Sequence, residues 1–128
     1  GGELPRRPEG LRVDLARFHA AALALPGAAF DVKWGADRVY TVGARMFAVA
    51  GSTDDPAPTY GFKASDMAFE LLVEDGVARP APYLARAKWV QLRGPDALPD
   101  ADLLAYLAQA HALVAAKLTA KARRGLGL

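Results

Sequence analysis

Between Phe30 and Lys63 the chain breaks into short strand-forming runs separated by glycine and loop residues. Phe30 to Trp34 ends at Gly35. Arg38 to Val42 and Met46 to Ala50 flank Gly43-Ala44-Arg45, whose length and glycine suit a hairpin. Tyr60 to Lys63 follows the loop Gly51 to Thr59, GSTDDPAPT. Connections this short cannot carry the crossover that parallel pairing needs, so an antiparallel meander is expected. Helices should flank it. Leu15, Phe18, Ala22 and Leu25 repeat at helical spacing between Asp14 and Leu25, and Pro26-Gly27 stops that run. Ser65 is placed to cap a helix reaching Glu74, and Gly76 ends it. After the proline-bounded segment Arg79 to Lys88, a strand is expected at Lys88 to Arg93. A final helix starts at Asp100, with Leu103, Leu104, Leu107, His111, Val114 and Leu118 on its apolar stripe. The order α-β-β-β-β-α-β-α predicts an α+β fold: about five antiparallel strands with helices packed on one face.

One domain fits the 128 residues, read as residues 14–120 with a flexible or tag-derived segment at 1–13 and a basic tail at 121–128. Cysteine is absent, which removes disulfides, thiolate metal sites and cysteine nucleophiles and fits a reducing, cytoplasmic location. No apolar run is long enough to span a bilayer, so no membrane partner is expected. Twenty-eight alanines, with no isoleucine or asparagine, make the 11-to-5 excess of arginine over lysine a compositional trait rather than a functional one. The formal charge is +2, yet residues 14–120 hold ten basic and twelve acidic side chains. A nucleic-acid footprint would therefore have to come from clustering. Two acid-free clusters exist. Gly76 to Pro95 holds Arg79, Arg86, Lys88 and Arg93, and Leu113 to Leu128 holds Lys117, Lys121, Arg123 and Arg124.

Candidate catalytic groups are few. Ser52 and Ser65 lie outside any nucleophile elbow. His19 and His111 border apolar helix stripes, with no carboxylate three or four residues onward to complete a metal site, so both read as packed histidines. Asp54-Asp55 and Glu74-Asp75 read as solvated turn residues, and no phosphate-binding glycine loop is present. A non-enzymatic protein without cofactor or metal is expected. Aromatic and basic residues interleave on the strands instead. In the last strand Val90 and Leu92 should meet the helices, which leaves Trp89, Gln91 and Arg93 on the outer face.

Four stretches, VKWG (Val32–Gly35), YTVGARMFAVAG (Tyr40–Gly51), FKASD (Phe62–Asp66) and RPAPYLARAKWVQL (Arg79–Leu92), resemble in order and spacing the MmcQ/YjbR family of small bacterial proteins. Where many members carry Ser-Tyr, this chain has Ala110-His111. The resemblance implies a frataxin-like (CyaY-like) fold and DNA binding through a double-wing arrangement of strands and hairpins. It brings no catalytic residues. On that reading Lys63, Arg86, Lys88 and Arg93 neutralise phosphates, Arg45 acts at the hairpin tip, and Trp89 supports or stacks on a base. The alternative is a domain that binds a protein or small ligand in a groove beside Tyr83 and Trp89.

Overall fold

The computed structural model describes residues 14–33, 37–51, 59–82, 84–94 and 96–128. Asp14 caps α1 (Leu15–Leu23) through its carboxylate, which accepts from the Arg17 N–H at 2.8 Å. Three strands follow as a meander, β1 (Ala28–Lys33), β2 (Asp37–Val42) and β3 (Arg45–Gly51), and then β4 (Thr59–Lys63). Ser65 caps α2 (Asp66–Glu74) as expected. β5 (Ala78–Pro80), a single 3-10 turn (Ala85–Ala87) and β6 (Trp89–Leu92) lead to α3 (Asp100–Ala115) and α4 (Ala120–Gly125). The sheet is antiparallel throughout, in the order β1-β2-β3-β4-β6-β5.

Six strands form rather than five. β5 is only Ala-Arg-Pro, and it pairs on the outside of β6, where a proline at the strand's end costs no central ladder bond. The basic C-terminal run is also structured. Thr119 caps α4, and Leu126 and Leu128 pack against the core margin. Residues 1–13 lie outside the described residues.

The helices cover one sheet face. Tyr40, Val42, Ala48, Ala50, Tyr60, Phe62, Val90 and Leu92 point into the core with Phe18, Leu72, Leu103 and Leu107. Val90 and Leu92 thus meet the helices, as the alternation of β6 requires. Phe18 stacks on Tyr60, with centroids 4.3 Å apart, and meets Tyr40 edge-on at 5.7 Å. A bulge shifts the β2–β3 register after Tyr40, so Phe47 and Ala48 are both fully buried.

Gly43 and Ala44 form the two-residue β2–β3 turn, both at positive φ (56° and 65°), as a type I′ turn demands. Gly43 serves a second purpose. A Cβ there would lie 2.7 Å from the methyls of Leu118, so the bare glycine lets the chain after α3 settle on the hairpin tip.

Candidate polyanion-binding surface

Lys63 ends β4 and Trp89 begins β6, and the two are paired across the strands. The Ala64 N–H donates to the Lys88 carbonyl at 2.9 Å, which ties the backbones of Lys63 and Lys88 side by side. The 3-10 turn delivers Lys88 in the left-handed region, φ 61° and ψ 37°. A side-chain-bearing residue there costs about 1–2 kcal/mol. The Lys88 ammonium stands 4.9 Å from the centroid of the Phe69 ring. Lys63 Nζ donates to the Ala64 carbonyl at 2.9 Å.

A third cation arrives from the end of α3. Lys117 precedes Leu118, which is seated on Gly43 at the hairpin tip. Burial first, and then the positive field of Lys117, hold the Lys63 ammonium below its ordinary pKa. Lys88 adds to that effect and Asp66 opposes it. Among the described residues no carboxylate lies within salt-bridge distance of Lys63, Lys88 or Lys117. Exposed Arg45 follows the hairpin tip, two residues beyond the β3 position that the register sets opposite Lys63. Exposed Arg86 sits in the 3-10 turn two residues before Lys88.

Four of the six residues singled out in the sequence, Arg45, Lys63, Arg86 and Lys88, thus share one end of the sheet. Two do not join them as binding groups. Trp89 is only 5% exposed, so it has no open face on which a base could stack. Arg93 follows the other end of β6, about 16 Å along the strand direction from Lys88 at 3.3 Å per residue. Tyr83, the centre of the alternative groove, lies outside the described residues. Lys117 was not among the expected site residues. Its signal was the acid-free run at the chain's end, whose meeting with Lys63 depends on how α3 crosses the sheet.

Both histidines and Ser65 are occupied structurally. His19 Nδ1 and Tyr40 Oη share a hydrogen bond of 2.9 Å, and Phe30 meets the His19 ring edge-on at 4.5 Å. Burial raises the pKa of the Tyr40 hydroxyl, and Arg38 partly counters that. His111 Nε2–H donates to the Pro26 carbonyl at 2.7 Å, which ties α3 to the end of the α1 turn. Ser65 is the cap of α2, while Ser52 and Asp54-Asp55 lie outside the described residues. No group of three metal-ligating side chains occurs among the described residues. No helix among them is long and apolar enough to cross a membrane.

These features define a small α+β protein: an open six-stranded antiparallel sheet, helices on one face, and cations gathered where β4 ends and β6 begins. The YjbR family model matches residues 23–113, and the chain belongs to that family. Among solved structures it is similar to Deinococcus radiodurans protein DR2400, which carries the family-model domain DUF419. That likeness has a TM-score of 0.79 at 24% sequence identity, over 92% of this chain and 90% of the other. It shows the fold. No curated protein matches the chain.

Proposed function

We propose that the protein is a non-enzymatic module that binds DNA by its phosphates, using Lys63, Lys88 and Lys117 with Arg45 and Arg86 at the rim. The observation that carries this reading is the crowding of the lysines. The Lys63 ammonium is pushed toward its neutral form by burial and by two like charges. A phosphate brought there offsets the repulsion of the two like charges, since an opposite charge favours the charged ammonium. The left-handed backbone of Lys88 supports the same reading. Glycine would be cheaper at φ 61°, yet the position carries a cation. The hairpin tip and the turn before β6 lie at this same end of the sheet, and on this reading they would serve as the two wings that the family resemblance implies.

Fluorescence anisotropy with a labelled duplex tests the reading. If four or five phosphates are neutralised, log K should fall against log salt with a slope of about −3 to −5. Sequence preference should be slight, because backbone contacts position a protein without reading bases. Absence of binding at low salt would overturn the proposal.

A further inference from the structure

The opposite pole of the helical layer has the reverse electrostatic character. Leu71 and Leu72 of α2 face Ala105 and Tyr106 of α3 across a cavity of about 400 Å³ floored by Leu98 and Val77. That volume falls within the range of about 300–1,000 Å³ typical of small-molecule pockets. The Tyr106 ring is held in place by stacking on Phe62, with centroids 5.7 Å apart. Apolar surface continues past the cavity. Leu71 is 49% exposed, and Met67, one turn earlier on α2, is 73% exposed.

The charged groups of this groove are acidic, and Gln109 adds a neutral amide beside them. Asp75 is the C-cap of α2, where the helix's own carbonyls already concentrate negative charge, and no basic side chain occupies its last turn. Asp102 faces the same cavity from the first turn of α3. Among the described residues no cation lies within salt-bridge distance of either carboxylate. Two aspartates and the C-terminus of α2 beside an apolar floor disfavour anions, although Asp102 also stands at the N-terminus of α3, whose partial positive charge offsets part of its own. They also offer too few oxygens for a hard metal ion, which takes six or more.

We propose that this groove binds a small amphipathic organic cation, an alkyl or aryl body carrying a primary ammonium group. The body would lie against Leu72, Leu98 and Tyr106, and the ammonium would sit between Asp75 and Asp102. This site is independent of the lysine end, and either reading can fail without the other.

Amide chemical-shift titrations of the full chain with 4-phenylbutylamine and with neutral 4-phenylbutan-1-ol test it. The amine should give saturable shifts at Leu71, Asp75, Asp102 and Tyr106, none at Lys63, Lys88 or Lys117, and bind about tenfold more tightly than the alcohol. The double variant Asp75→Asn/Asp102→Asn should reduce amine affinity to that of the alcohol while leaving alcohol binding unchanged, which also shows that the groove is intact. Equal affinity for amine and alcohol, unchanged amine binding by the variant, or the absence of saturable shifts at these residues would overturn the proposal.

Discussion

The aromatic cluster under α1 and the lysine end of the sheet treat polar groups in opposite ways. Under α1 the histidines in the packing have partners, His19 the Tyr40 hydroxyl and His111 the Pro26 carbonyl. At the lysine end three cations approach one another, and one of them keeps a left-handed backbone. Satisfied polar groups lower the cost of burial and need no ligand. Crowded like charges raise the energy of the isolated protein and gain most when an anion arrives. The first region holds the fold together, and the second holds Lys63 below its ordinary pKa, which on the proposed reading an arriving anion would offset.

The largest expected effect tests the first half of this contrast. Phe18→Ala removes a fully buried ring stacked on Tyr60 and should cost about 3–5 kcal/mol of unfolding free energy in urea titrations. Duplex binding by the fraction that remains folded should be unchanged. A loss below 1 kcal/mol would mean that the aromatic cluster is not the structural centre of the domain.

Lys88→Gly sharpens the comparison because stability and binding should move in opposite directions. Relief of the left-handed strain is worth about 1 kcal/mol, from which the lost contact with Phe69 subtracts about 0.5 kcal/mol. The variant should therefore unfold at equal or slightly higher urea concentration while binding duplex more weakly. A clear loss of stability would mark Lys88 as a structural residue instead.

The smallest effect is a pH dependence. In the folded protein Lys63 has a pKa below its ordinary value of 10.5. The unfolded chain therefore binds more protons in the window just below 10.5, and stability contributed by this group rises with pH there. Below that window Lys63 is charged in both states and its penalty is fully present. Lys63→Met should flatten this rise when stability is followed by urea unfolding across alkaline pH. A rise of unchanged steepness would place the crowding elsewhere.

Much of the fold was legible because hairpin turns and helix caps are local. Ser65, Asp14 and Gly43 each announce an element boundary within a few residues, and all three act as their types suggest. β5 was not legible because three residues ending in proline carry no alternation, and only pairing with β6 makes them a strand. α4 was hidden by its charge. Its sequence AKARRG reads as a tail until Leu126 and Leu128 are seen to pack. The candidate site was legible as residue types and not as geometry. Strand alternation placed Trp89 opposite Val90 and Leu92, but alternation does not report whether the outer face is covered, and Trp89 is buried. Arg93 and Lys88 look like neighbours in one basic run, yet a strand separates them. Lys117 joins Lys63 through tertiary structure alone.

The claim that cations act by position, rather than by number, is tested most directly by two charge-matched variants in the same salt-dependent duplex titration. One carries Lys63→Gln, Lys88→Gln and Lys117→Gln, and the other carries Arg79→Gln, Arg93→Gln and Lys33→Gln. The first should lose binding and reduce the salt slope by about 2.7, at 0.9 per phosphate contact, while the second keeps the slope of the parent. Equal losses in the two variants would contradict the account.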